Sequence, residues 1–497
     1  MSGGPIVRAD RTIRYGLIAG LAGLIAAGAA PAEPDPEFRP AACTLPDIPA
    51  AAAARLTCGT VAVPRRYDQP EQGRFSLAVA ILHRPGSAAL RDPVLYIQGG
   101  PGFPLLDHAD YLLHQVFGPD RDLILVDQRG TGRSEPGFCP GGTHDLLAAL
   151  ARGGPVDVLT AGVDAVYAQC RAELLRADAP QLFGTRVTAE DMERVRRALD
   201  LGQWNLYGVS YGTTVGLTMA VLHPRGIRAM VLDSVYPPEP LALSREQSFE
   251  ASLKALFRLC AADPACNAAY PALDRLYADT LRRLDETPLA VAMPAALGLP
   301  DNRVVLAAPE FEMVSFLALY ERSTWRYMPH LIQAAHDGSA GALTPLLGGL
   351  MQWFGERNLG AALAVECRDR PVRGAGPASL LDLLTAGGVA CTGWPVSGPE
   401  PGIPAGTHIP TLILSGALDP VTPPLFGRQT ARAIGRSATW LELPNTAHGV
   451  QHSTLCGAIL VWQFVRSPYQ RQDDSCIAAI PPIGFADTDL PAPAPSP

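Results

Sequence analysis

The sequence predicts an α/β fold, a mostly parallel sheet flanked by helices and interrupted by one large insertion. Three observations carry this. Short apolar runs at Val94 to Ile97, Leu123 to Val126, Trp204 to Tyr207, Ala229 to Leu232 and Thr411 to Leu414 each end in a loop containing Gly, Asp or Ser. Strands buried on both faces of a helix-covered parallel sheet look like this. Helix-like stretches, Ala189 to Leu199 and Thr213 to Leu222, flank the third run. Finally, about 175 residues separate Asp233 from Pro410, where one strand–helix–strand unit needs about 30.

Taken in order, residues 1–32 read as a signal peptide. Arg8, Arg11 and Arg14 precede an apolar stretch from Tyr15 to Ala30, and Ala30-Pro31-Ala32 supplies the small-x-small cleavage pattern. That stretch is shorter than the roughly 20 residues that span a bilayer. Cleavage near Glu33 and export to the periplasm or medium are therefore expected, with no stable membrane insertion afterwards. Residues 33–238 form the first part of the core, opening with an antiparallel hairpin at Leu56 to Pro64 and Phe75 to Arg84, where apolar and polar residues alternate.

Residues 239–405 are expected to form a helical cap, with helices at Ser248 to Cys260, Leu273 to Leu284, Glu310 to Tyr320, Pro329 to His336 and Leu380 to Leu384, and few strand-like runs. Ligands bind at the carboxyl ends of parallel strands, where this insertion emerges. Residues 406–482 return to the core, with Trp440 to Leu443 as the last strand. Residues 483–497 end in alternating proline and are expected to be disordered.

A hydrophobic content of 47% supports a large core, and a net charge of −8 without a basic stripe excludes nucleic acid as a partner. In an exported chain, ten cysteines argue for disulfides. Neighbour pairing gives Cys43–Cys58, Cys139–Cys170, Cys260–Cys266, Cys367–Cys391 and Cys456–Cys476. No C-x-x-C pair with partner histidines suggests zinc, and nothing signals another metal or an organic cofactor.

The chemistry centres on Gly208-Val209-Ser210-Tyr211-Gly212, between a strand and a helix. A serine hydroxyl is a poor nucleophile unless it is held clear of its neighbours on a tight turn over the positive end of a helix. Such a serine needs a base and an orienter. Asp419 falls in the loop after the penultimate strand and His448 in the loop after the last. The order Ser210, Asp419, His448 is that of α/β-hydrolases. Asp233 is a rival acid and His452 a rival base. The loop Gln98-Gly99-Gly100-Pro101-Gly102, with the N–H of Tyr211, is placed to form an oxyanion hole.

Gly99-Gly100-Pro101-Gly102, Asp127-Gln128-Arg129-Gly130-Thr131-Gly132-Arg133-Ser134, the Ser210 segment and the Asp419 and His448 loops together resemble the prolyl iminopeptidase and tripeptidyl aminopeptidase group of α/β-hydrolases, over about residues 56 to 480. The signal peptide, cysteines and long insertion favour the secreted, tripeptidyl aminopeptidase-like branch; Gln98 stands where many iminopeptidases have histidine. The resemblance implies that Ser210 attacks a carbonyl, His448 relays the proton, Asp419 orients His448, and the N–H groups of Gly100 and Tyr211 hold the oxyanion. It also implies that acidic groups near the cap read a peptide's free ammonium. Glu312, Glu321, Glu366 and Asp369 are the candidates, with Glu366, beside Cys367, foremost. Asp127 and Arg129 are expected to pair with each other inside the core. The expected substrate is a peptide with a free amino end, and the alternative is a small carboxylic ester.

Overall fold

A computed structural model describes Met1 and residues 36–46, 48–84, 92–113, 121–238, 243–370, 391, 393–395 and 401–486. Residues 2–32, the helix expected at 380–384 and residues 487–497 lie outside the described residues.

The apolar runs become strands of one nine-stranded sheet, in the order β1-β2-β3-β5-β4-β6-β7-β10-β11. The hairpin is β2 (Leu56–Pro64) and β3 (Arg74–Leu82), and the edge strand β1 (Phe38–Ala41), mostly exposed, is an addition to the expected set. From β5 (Leu123–Val126) the sheet runs parallel through β4 (Val94–Ile97), β6 (Trp204–Val209), β7 (Ile227–Asp233), β10 (Thr411–Gly416) and β11 (Ala438–Leu443). Every residue of β4, β5, β6 and β10 is buried. This is why their sequences are largely apolar instead of alternating, with Asn205, Thr411 and Ser415 buried among them.

Between β7 and β10 lie the expected helices, at Arg245–Ala262, Leu273–Glu286, Ala308–Ala318 and Met328–Asp337, together with Thr344–Gly355 and Leu359–Asp369. The insertion also holds an antiparallel hairpin, β8 (Leu289–Ala292) with β9 (Arg303–Leu306). Val291, Val304 and Leu306 are buried there at alternate positions, a period-2 signal too short to stand out from helical neighbours. Side chains of the insertion, Phe316 and Leu331 among them, share one buried cluster with Leu95 and Ile124 of the sheet.

All ten cysteines pair as neighbours in five disulfides. The tail is ordered further than its composition suggests. Ile483 is buried, and the N–H of Ala486 donates to the Arg326 carbonyl at 2.9 Å.

Candidate active site

β6 ends at Val209 and the helix Tyr211–Leu222 begins two residues later, leaving Ser210 at the turn with φ 55° and ψ −125°. A non-glycine residue in that region costs of order 1–3 kcal/mol and persists only where its surroundings over-determine it. Here the Ser210 N–H donates to the Asp233 carbonyl at 3.0 Å, and the Ser210 carbonyl accepts from the Thr213 N–H at 2.9 Å. The helix can sit this close to the sheet because a Cβ at Gly212 would overlap the Ile97 carbonyl.

The acid and base meet across the ends of β10 and β11. Asp419 Oδ2 lies 2.8 Å from His448 Nδ1, with the aspartate side chain fully buried and the histidine side chain 12% exposed. Thr422, which the sequence reading missed, completes the acid's environment. Its hydroxyl donates to Asp419 Oδ2 at 2.6 Å and its N–H to Oδ1 at 2.9 Å, while the Val421 N–H also reaches Oδ1 at 2.8 Å. The only sequence signal was a hydroxyl residue three positions after the aspartate, a common turn pattern. Burial pushes the Asp419 carboxyl up, but the charge and hydrogen bond of His448 and the Thr422 donors outweigh it, leaving Asp419 below its ordinary value. Burial likewise pulls His448 down, and the Asp419 charge and hydrogen bond overcome this to hold it above the ordinary imidazole value.

Asp233 takes a different position from the one that would make it the orienting acid. Its carboxylate accepts from the Tyr207 hydroxyl at 2.7 Å and from the Val450 and Gln451 N–H groups, each at 2.8 Å. The adjacent Ser234 hydroxyl accepts from the Gly449 N–H at 2.9 Å. Asp233 and Ser234 therefore tie the chain just after His448 to β7, whose last carbonyl already holds Ser210. His452, the rival base, pairs with Gln451 at 3.1 Å and packs edge-on against Tyr111.

The glycine loop lies against the serine: a Cβ on Gly99 would stand 2.9 Å from Ser210 Cβ. Gln98 folds back to accept from the Gly99 N–H at 3.0 Å, and Gln128 Nε2 donates to the Gln98 carbonyl at 2.8 Å. The expected pairing of Asp127 with Arg129 does not occur. Arg129 instead grips Asp191 through two 2.7 Å bonds, while Asp127 accepts from the N–H groups of Leu105, Leu106 and Arg133. Two residues apart on one loop, they point to different sides, so each acts as a separate internal brace.

The insertion reaches the site through aromatic side chains that no motif flagged. The Tyr320 carbonyl accepts from the His448 N–H at 3.1 Å, and the two rings meet edge-on at 5.2 Å. Tyr320 packs on Trp353 at 5.8 Å, and Trp353 stacks on Phe103 at 5.1 Å. Phe103 follows the glycine loop directly, so this arc runs from the histidine to the loop.

Among the acidic candidates, Glu312 is exposed and Asp369 accepts from the Thr185 N–H at 2.9 Å. Glu321 is exposed, and its charge helps to raise His448. Glu366 is half-buried, with one carboxylate oxygen 2.8 Å from Arg357 and the other, itself enclosed, without a hydrogen-bond partner. Burial raises its carboxyl above the ordinary value, opposed by Arg357, Arg245 and Arg370.

Comparison with known proteins agrees with the fold. The family profile described as alpha/beta hydrolase fold matches residues 92–453. Serine protease Hip1 of Mycobacterium tuberculosis is 25% identical over 443 residues, covering 80% of this chain and 82% of that protein. Carboxylesterase B of the same species is 27% identical over 440 residues, covering 80% and 81%. A tripeptidyl aminopeptidase of Streptomyces coelicolor is 28% identical over 339 residues, covering 63% and 60%.

Proposed function

The chain belongs to the α/β-hydrolase fold family and is a serine hydrolase, and from that premise we propose that it is an exported aminopeptidase that releases single residues or short peptides from free N-termini. The observation that carries the catalytic assignment is the 2.8 Å contact of His448 Nδ1 with buried Asp419, on a loop braced to the same strand end that holds Ser210. In this reading His448 Nε2 takes the Ser210 proton as Oγ attacks the scissile carbonyl. The N–H groups of Gly100 and Tyr211 receive the oxyanion, and the imidazolium protonates the leaving amine. Water then attacks the acyl-enzyme as His448 takes its proton, and the imidazolium returns that proton to Ser210 Oγ as the acyl–oxygen bond breaks and the acid leaves. Asp419 holds the tautomer that leaves Nε2 free to accept.

Five disulfides support export, since such bonds form and persist in oxidising compartments. The peptidase reading is supported by the unpartnered oxygen of Glu366, an acceptor that a substrate ammonium can satisfy. Three arginines compete for the same carboxylate, so Glu321, beside His448, is the second group an ammonium can reach. The esterase reading is favoured by one observation, the comparable similarity to a protein named carboxylesterase.

The test is the amino end of the substrate. Acetylating the amine of a good peptide substrate should lower kcat/KM by about 10²-fold, equivalent to ~2.7 kcal/mol. Glu366→Gln and Glu321→Gln should shrink that ratio in the order of their contribution. Equal rates on free and acetylated peptides, with faster cleavage of simple esters, would assign the protein to the esterases.

A further inference from the structure

Arg357 stands between the insertion and the glycine loop. Its side chain is 4% exposed and lies just beyond the helix Thr344–Gly355. Nε donates to the Pro101 carbonyl at 2.9 Å and an Nη donates to Glu366 Oε1 at 2.8 Å. The guanidinium also sits 5.7 Å from the centre of the Phe354 ring, and the Arg357 carbonyl accepts from the Thr143 hydroxyl. The next residue continues the contact: the Asn358 N–H donates to the Gly102 carbonyl at 2.8 Å, and the Asn358 side chain caps the helix Leu359–Asp369, which carries Glu366. A Cβ on Gly102 would stand 2.8 Å from the Asn358 carbonyl, so loop and insertion meet flush.

The loop needs this support. Gly100 sits at φ +114°, a region L side chains rarely adopt, and has no side chain with which to lock itself. An oxyanion donor works only if its N–H is held within about 0.5 Å of the productive position. The carbonyls of the two residues that follow Gly100 are both fixed by the insertion, one by a charged side chain and one by a backbone N–H. A guanidinium is suited to the first task because its donors are rigidly arranged, so fixing one by Glu366 fixes the other on Pro101.

We propose that Arg357 is a positioning residue for the oxyanion loop, setting the Gly100 N–H against Ser210 through the Pro101 carbonyl, with Glu366 holding the guanidinium in register. This rests on the assignment of Gly100 to the oxyanion hole and is independent of whether the substrate is a peptide or an ester. Glu366 thereby gains a role besides any contact with an ammonium.

The experiment uses a short p-nitrophenyl ester, which has no amine, and its thionoester analogue, whose sulfur is a poor partner for an oxyanion hole. Rates are expressed per serine titrated with a fluorophosphonate. Removing an oxyanion donor outright costs about 10²–10³ in kcat, so displacing one by Arg357→Gln should cost about 10–100-fold, with KM changed less than about threefold. Arg357→Lys reaches only one of the two acceptors and should fall between. In both variants the preference for ester over thionoester should shrink, while the acid limb of the pH profile stays in place because the His448–Asp419 contact is untouched. Wild-type kcat per titrated serine in either folded variant, or a loss confined to KM, overturns the proposal. If Arg357→Gln fails to fold, Arg357→Lys decides, and a lysine variant without titratable serine assigns the residue to folding and overturns it too. A wild-type protein that does not distinguish ester from thionoester would instead sink the oxyanion-hole assignment itself.

Discussion

The two halves of the candidate site are held by different means. On the sheet side, Ser210, Asp419 and His448 stand at the ends of β6, β10 and β11, and β7 lies between the first two. Main-chain groups do most of the bracing there: the Asp233 carbonyl on Ser210, and the N–H groups of residues 449–451 on Ser234 and Asp233. On the insertion side, Tyr320, Trp353 and Arg357 depend on ring contacts and hydrogen bonds to partners far away in sequence, as Arg357 does on Pro101, 256 residues earlier. The difference separates chemistry from recognition. Strand ends place Ser210, Asp419 and His448, with the insertion touching the last through Tyr320, whereas the pocket and the exact set of the glycine loop follow from how the insertion docks.

The comparison breaks most sharply at the triad. Ser210→Ala and His448→Ala should each lower turnover by roughly 10⁴–10⁶-fold with the thermal midpoint unchanged, because the members act as one unit. A tenth of the activity remaining in folded Ser210→Ala would remove it from the role of nucleophile. Those losses should dwarf any single change on the insertion side.

The two aspartates sharpen the sheet side. Asp419→Asn should cost about 10⁴-fold in kcat by allowing the wrong imidazole tautomer, whereas Asp233→Asn loosens the loop after His448 and should cost about 10–100-fold by misplacement. The pH profile separates them further. His448 must be neutral to act as base, and its raised value puts the acid limb of wild-type kcat/KM above the ordinary imidazole value of 6.5. Removing the Asp419 charge takes away the main cause of that rise, so the limb should move to lower pH. Asp233 contributes less, and its substitution should move the limb less. A larger loss in Asp233→Asn would exchange the two roles.

The smallest effect on activity is expected far from both halves. Cys456–Cys476 spans 20 residues, and loss of its chain-entropy contribution in the Cys456→Ala/Cys476→Ala protein should lower stability by about 3 kcal/mol. Ester turnover at a temperature where the protein stays folded should change little. A kcat loss comparable to that of Asp233→Asn would show that the helix Leu455–Arg466 steers the histidine loop.

The strands, the elbow, the order of Ser210, Asp419 and His448, and the five cysteine pairs were legible because each is written in neighbouring residues. Continuous burial makes strands apolar, a tight turn demands Gly208 and Gly212, and cysteines near in sequence pair across short loops. The hairpin β8/β9 was hidden because four-residue strands give too few repeats to reveal their period. Ile483 to Ala486 read as tail because proline and alanine mark disorder by composition, and composition says nothing of the Arg326 carbonyl that receives Ala486.

By itself, then, the sequence determined the fold class and which serine, aspartate and histidine stand at strand ends. Only the tertiary structure decided that Asp127 and Arg129 brace different neighbours, that Asp233 holds a loop rather than the imidazole, that Thr422 completes the acid, and that Tyr320, Trp353 and Arg357 close on the site. The reason is the range of the forces involved. Backbone turns and strand burial are settled by residues a few positions apart, while a buried hydrogen bond or ring contact exists only after distant segments have packed, and its partner leaves no mark on the local pattern.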